Sequence, residues 1–519
     1  MRRILVFVLA LLVIISVAGC GKNTDPNSLA ANNAGEDEGL VFSVYTSKPD
    51  TLCPILSKNQ ANINMLDIVY DGLVRINDKL TAEPGLAESW SVSADGKKWT
   101  LNLRKNVLWH DGSAFGANDV VYTVNTIKNS EDSIYRYHIS NISVIRANGQ
   151  DVVEIELSQP WPGFINLLYF PIIKNAGEIN PQTFKPVGTG SYRFEDMHRA
   201  NEYRLLRNDK WWGGKPLTDA INVKILPDNE TALHSFGSGV LDITPAEGRN
   251  WSRYVNSATA GFTALNSTEF TFLGINSSKD ALQFTEVRKA ISKAINREKI
   301  ITDSFMGYGS AATVPFHPEW DICEGRQFDT AQDIDGAKAI LKDNEWLAGG
   351  SYHTKTIDET AYSTDFTLIY NEENEAREAI ASEIKKNLSY AGIRVVLEKL
   401  PFEDYRARII SGEYDLFVGS YALSPDLEFS FMVGNGNVFG FSNEKMTEAI
   451  NSARTESADD LARVYSGIIT EFEELNPVVG ICFADKILVH SNQLKGTLNP
   501  SCFDVYRGIE TVQKGVAGQ

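Results

Sequence analysis

No two of the cysteines are spaced as CxxC, although the chain has five of them. Zinc-ribbon and thioredoxin-like readings therefore lack their ligand pairs. The seven histidines never fall as an i, i+4 helical pair, so the sequence offers no helical metal clamp. HExxH, GxxxxGK followed by Ser or Thr, GxSxG and the EF-hand loop are all missing. Their absence removes the common signatures of metalloproteases, phosphate-binding loops, serine hydrolases and calcium sensors. Positive charge is scarce, with 49 Lys and Arg against 67 Asp and Glu, a net charge of −18 and a pI near 5.0. A nucleic-acid partner needs a basic footprint, so none is expected. The acidic residues are spread along the chain without forming a tail and are read as solubility. No internal repeat or heptad run is present.

What is present begins at the N-terminus. "MRRILVFVLALLVIISVAGC" places Arg2 and Arg3 before an apolar run at 4–17, then small residues. That run is short for a membrane span and is laid out as a signal peptide, 1–19. "VAGC" resembles a bacterial lipobox, in which the Cys, here Cys20, is acylated and becomes the new N-terminus. Two acyl chains give stable attachment to a membrane. Residues 20–38 are polar, rich in Gly, Asn and Asp, and aperiodic; they are read as a lipidated flexible tether. Cys53, Cys323, Cys482 and Cys502 remain. A Cys482–Cys502 disulfide is conceivable outside the cytoplasm, but spacing alone does not fix pairing.

At 519 residues, with 43% hydrophobic and 22% charged residues, the chain is globular and long enough for two or more lobes. Strand-like runs alternate with helical ones throughout. In "WTLNLR" (99–104), Trp99, Leu101 and Leu103 face one way and the polar residues the other, as in a half-buried strand. Further strands are expected at 40–45, 152–157, 221–225, 270–276, 366–370, 393–400, 414–419 and 478–483. One helix is expected over 284–301, with Val287, Ala290, Ile291, Ala294 and Ile295 on one face. Another is expected over 374–392, closed by Gly392, and a third over 461–475. The pattern is mixed α/β in more than one lobe.

Few residue groups point to chemistry. "GNGNVFG" (434–440) has Phe439 where GxGxxG needs Gly and is read as a loop. Glu372–Glu373 and Asp459–Asp460 are adjacent pairs whose side chains diverge, so they read as solvated faces. His110 and Asp111, with Asp119 nearby, look at first like a catalytic pair. "HDG" is better read as a turn, with Gly116 capping a helix whose buried face is Val120, Val124 and Ile127. Aromatic residues make up 10% of the chain and suit a ligand cleft, although most must be core.

Five blocks occur in an order that resembles the extracytoplasmic solute-binding proteins of ABC importers, family 5, the dipeptide- and oligopeptide-binding type. They are "YDGLVRINDKLTAEPGLAESWSVSADGKKWTLNLRKNVLWHDGSAFGANDVVYT" (70–123), "PVGTGSYRF" (186–194), "ALHSFGSGVLDIT" (232–244), "FLGINSSKDALQFTEVRKAISKAINREKII" (272–301) and "AGIRVVLEKLPFEDYRARIISGEYDLFVGSY" (391–421). The resemblance covers nearly the whole mature chain. It implies an α/β, two-lobed periplasmic-binding-protein-like fold with a hinge (class II type) and an extra N-terminal subdomain. Carried onto this chain, lobe I is 39–268 plus 485–519, with the inserted subdomain at 61–185, and lobe II is 269–484.

The same resemblance implies a binding protein rather than an enzyme, with no cofactor and no metal site of its own. Its expected partners are a peptide ligand, an ABC permease and ATPase, and the membrane through its lipid anchor. It is expected to be a monomer on the extracytoplasmic side of the cell membrane. A nickel chelate, an oligosaccharide or another small solute on the same scaffold is the alternative, as is a signalling receptor without transport. Ligand contacts are expected at Tyr45 and Thr46, which end the first strand, and at Ser420 and Tyr421, after the strand at 414–419. In "GSYALSPDLEF" (419–429), Leu423 stands where peptide-binding relatives place the Asp that holds the α-amino group. Asp426 is the nearest acid and the candidate substitute. Arg377 is the candidate for a ligand carboxylate, displaced by about two positions from the relatives' Arg.

Overall fold

The computed structural model describes residues 41–434, 436–455 and 458–515. The expected leader 1–19, Cys20 and the tether 20–38 lie outside these residues.

The first strand, Val41–Thr46, runs parallel to Ala220–Ile225. That strand pairs antiparallel with Glu202–Arg207, which pairs in turn with Tyr192–Arg199. A three-stranded sheet lies next in the chain path, with Lys486–Ser491 between Ile243–Ala246 and Ala260–Leu265. A segment from near the C-terminus thus completes a sheet begun some 240 residues earlier.

Between the first strand and Tyr192 the chain builds a separate four-stranded antiparallel sheet, ordered Ala87–Val92, Lys98–Leu103, Val152–Leu157, Ile142–Ala147. Trp99, Leu101 and Leu103 face its core, as their alternation predicts. Helix Ala117–Asn129 packs on this sheet through Val120, Val124 and Ile127. Gly116 has no side chain to cap it, so its own backbone N–H donates to Asp119 Oδ2 at 3.0 Å and closes half of a capping box.

A six-stranded mixed sheet follows, centred on Glu269–Ile275 and Val478–Ala484. These two strands are buried almost end to end, which is why they read as apolar runs rather than alternating ones. Helix Glu375–Tyr390 packs on this sheet through Ile380, Ile384 and Leu388. It ends two residues before Gly392, whose φ of +73° carries the chain into Arg394–Leu400.

The single helix expected over 284–301 is two helices, Thr285–Ala294 and Arg297–Phe305. Ile295 takes an extended conformation, and the Asn296 side chain accepts from Lys299 N, starting the second helix. The apolar spacing runs unbroken through the break because Ile295 is buried on both accounts. Arg297 is fully buried and donates to the Gly480 and Ser292 carbonyls, contacts that no local pattern announces. Cys53, Cys323, Cys482 and Cys502 are all free thiols, so the Cys482–Cys502 pairing is not made.

Candidate functional site

A cavity of about 490 Å³ lies where three parts of the chain converge. One wall comes from the helix Gln60–Leu66 and the segment after it, another from 134–138 and Tyr169. The last comes from the 421–425 loop together with Lys486 and 501–507. Its size is that of a pocket for a small organic ligand.

The helix Gln60–Leu66 is started by Asn59, whose side chain accepts from Asn62 N. Its apolar residues Ile63, Met65 and Leu66 are buried. Asp67 follows them, a lone carboxylate in the run "INMLDIV". Four residues on, Asp71 is well provided for: it accepts from Thr189 Oγ1 at 3.0 Å and Trp212 Nε1 at 2.9 Å, and pairs with Arg75 at 3.4 Å. The Asp67 N–H donates to Ile63 O, but its carboxylate has no hydrogen bond and no ion pair among the described residues, and it lines the cavity. Asp504 lines it from the C-terminal segment, and among the described residues its carboxylate accepts only from Tyr506 N, at 3.2 Å.

Burial pushes the Asp67 carboxyl well above the usual range, and the neighbouring Asp504 charge adds to the effect. Burial likewise pushes Asp504 up to about 6; Arg75 and Arg507 oppose this and Glu510 reinforces it. Both side chains keep partial exposure, but what they are exposed to is the cavity. Arg507 is committed to Glu83 at 2.5 Å. Lys486 also borders the cavity; it donates to Cys502 O at 3.3 Å and has no carboxylate partner among the described residues.

Aromatic rings make up much of the remaining wall. His138 sits edge-on to Tyr135 and Tyr169, with ring centroids 5.3 Å away in each case, and Tyr169 meets Phe503 at 5.4 Å. Both His138 ring nitrogens are buried without a hydrogen-bond partner, and burial lowers its pKa to about 4, so the ring is neutral. On the opposite side Tyr421 packs against Phe431 at 4.1 Å and remains 42% exposed.

Of the positions expected to touch ligand, Tyr421 borders this cavity. Asp426 lies beside it and lines a smaller space of about 150 Å³. Its Oδ2 accepts from the Tyr137 hydroxyl at 2.8 Å, and its Oδ1 is buried and unpartnered. Burial raises its pKa, while the Ser424 and Tyr137 hydroxyls pull the other way. With Asn166 Nδ2 donating to Pro425 O at 3.0 Å, these contacts tie the 134–171 region to the loop after Leu416–Ala422. Leu423 lines the cavity with an apolar side chain, and its backbone N–H is spent on Thr268 O.

Tyr45 and Thr46 are not on the cavity wall. Tyr45 packs in a core cluster with Leu233, Phe236 and Trp251, and Thr46 is fully buried. The side of the strand end that faces the helix Asn229–Gly237 is covered, so it offers no cleft. Arg377 and Ser420 also stay off the wall. Arg377 donates to Asn371 Oδ1 at 2.7 Å and Ser420 Oγ at 3.3 Å, and its guanidinium stacks over Tyr405.

Local pattern missed Asp67, Asp504 and His138. The one available signal was a charge standing alone in an apolar run, Asp67 in "INMLDIV". The His110–Asp111 pair belongs to the scaffold: His110 Nδ1 accepts from Gly188 N at 3.1 Å, its Nε2 donates to Gly190 O, and Asp111 pairs with Lys174.

Residues 81–440 match the family described as bacterial extracellular solute-binding proteins, family 5 Middle. The chain belongs to that family. The oligopeptide-binding protein AppA of Bacillus subtilis (strain 168) is 22% identical over 95% of this chain and 96% of its own. Among solved structures, the ABC transporter substrate-binding protein CtaP of Listeria monocytogenes superposes with a TM-score of 0.79 at 19% identity, covering 92% of this chain and all of its own. NikZ of Campylobacter jejuni, in complex with Ni(L-His), gives 0.69 at 21% identity over 92% and 99%. The family-5 fold is two-lobed and mixed α/β, and its members are solute-binding proteins.

Proposed function

We propose that this family-5 protein is the receptor of an ABC importer that captures short peptides in the central cavity and passes them to a permease and its ATPase. The observation that carries the reading is the composition of that cavity. It sets unpaired carboxylates and an unpaired Lys486 around aromatic walls within about 490 Å³. A zwitterion with an apolar body is complementary to such a surface. The name of AppA, an oligopeptide-binding relative, supports the same class. Nickel chelates are the runner-up, on the strength of NikZ.

The work done is differential binding: ligand stabilises the closed arrangement of the lobes, and the permease reads that arrangement. In this reading lobe I comprises 39–268 and 485–519, lobe II comprises 269–484, and a diacylated Cys20 holds a monomer at the outer face of the membrane. Radiolabelled palmitate entering the wild type but not Cys20→Ala would support the anchor.

The experiment is native mass spectrometry of gently purified protein, followed by a thermal-shift panel. A true ligand at a hundred times its dissociation constant stabilises by about 2.7 kcal/mol. Di- to nonapeptides are expected to give that shift. A shift from a nickel–histidine chelate or a sugar, with none from peptides, contradicts the reading.

A further inference from the structure

We propose that Asp67 and Asp504 together form the anchor for a cationic group, ammonium or guanidinium, on the captured solute. The inference rests on the reading of the central cavity as the solute site and assigns the charge that the site selects.

The other carboxylate lining this cavity already has a cation, since Asp71 holds Arg75, and the cavity's Arg507 is held by Glu83. Asp67 has neither cation nor donor among the described residues, and Asp504 has one backbone N–H. A buried carboxylate without compensation is costly, and two side by side cost more. A cation carried by the solute would relieve that cost. The arginines that could do so from within are turned to other acids.

The unpartnered nitrogens of His138 are a separate observation that points to an incoming ligand. The ring is on the cavity wall and stays neutral. It carries one donor and one acceptor, both buried and neither met by a partner among the described residues. Tyr135 and Tyr169 flank it, and Tyr135 feels the Asp67 charge. Aromatic faces beside paired carboxylates suit a cation that has left water behind. Leu423, on the far wall, contributes no charge. The anionic end of this cavity is therefore the lobe I side, formed by segments at opposite ends of the chain.

The test uses full-length protein and four probes. They are a tripeptide library lacking Lys and Arg, the same library acetylated at its N-termini, putrescine and agmatine. Capture is read by native mass spectrometry and affinity by calorimetry. The free-amine library is expected to bind and the acetylated one to bind about tenfold to a hundredfold more weakly, the loss of a charge-assisted hydrogen-bonded contact. Asp67→Asn and Asp504→Asn are expected to weaken the free-amine library by the same factor and to leave the acetylated one nearly unchanged. Both replacements keep side-chain shape, and the acetylation comparison on wild type needs no variant.

Equal binding of the two libraries overturns the anchor while leaving peptide capture intact. So does an acetylation effect that persists undiminished in both variants. Capture of putrescine or agmatine, lost in Asp67→Asn, with no peptide bound, supports the anchor and overturns the peptide reading. Binding of none of the four overturns both.

Discussion

Asp67 and Asp71 stand four residues apart, just after the helix Gln60–Leu66, and their surroundings treat them oppositely. The Asp71 carboxylate is given three donors, whereas that of Asp67 is given none among the described residues. Such a difference has a thermodynamic signature. The folded-state pKa of Asp504, about 6, lies above the usual 3.8. Its contribution is fully present below pH 4 and is lost as pH rises through about 6. Asp504→Asn is therefore expected to stabilise the ligand-free protein by about 1–2 kcal/mol at pH 7.5, allowing for screening by cavity water. The gain disappears at pH 3.5, and urea denaturation at the two pH values checks it. Arg75, Arg507 and Glu510 act on this group, so the measurement belongs at fixed ionic strength.

His317 carries the opposite sign. It is fully buried against Trp320 and Phe483, and burial lowers its pKa to about 4. Its contribution is present above pH 6.5 and is lost as pH falls toward 4, by up to about 3 kcal/mol. His317→Asn keeps an acceptor for Glu319 N. It should lower stability at pH 7 through lost packing, yet lose less of what remains between pH 6.5 and 4.

At the scale of elements, the segment 186–194 threads against Ile68–Tyr70 so closely that Gly188 admits no side chain. A Cβ there would stand 1.8 Å from the Val69 carbonyl oxygen. Gly188→Ala is expected to cost at least about 3 kcal/mol or to abolish soluble expression, whereas Gly467→Ala, in the helix Ala458–Leu475 with open space around it, costs far less. Thermal denaturation of the two variants decides it.

Elements were legible in the sequence where a period repeats locally. Val152–Leu157 lies where its alternation places it, as does the buried face of Ala117–Asn129. The break at Ile295 was not legible, because burial keeps the apolar spacing continuous through it while Asn296 ends one helix and begins the next. The site was less legible still. Tyr421 borders the cavity from a loop that sequence singles out, but Asp67 and Asp504 meet only after the C-terminal segment has folded back. Periodicity registers burial and is blind to which distant residues share a cavity.

At the scale of the whole molecule, the proposed function rests on two lobes closing over one space. Tyr137 donates to Asp426 at 2.8 Å and so links regions that the proposal assigns to different lobes. Tyr137→Phe leaves the buried Asp426 carboxylate with neither oxygen partnered by that hydroxyl. It should weaken ligand binding about tenfold by depopulating the closed state. Small-angle scattering should then show a larger radius of gyration than wild type at the same subsaturating peptide concentration. An unchanged affinity would separate this contact from closure.

The central claim is that the cavity between Asp67, His138, Tyr421 and Asp504 is where solute is held. A crystal structure of the protein saturated with the free-amine tripeptide library tests it most directly. The account predicts ligand density in that cavity, with its amino end between the Asp67 and Asp504 carboxylates. Density confined to the smaller space beside Asp426, or an empty central cavity in a protein with peptide bound elsewhere, would contradict it.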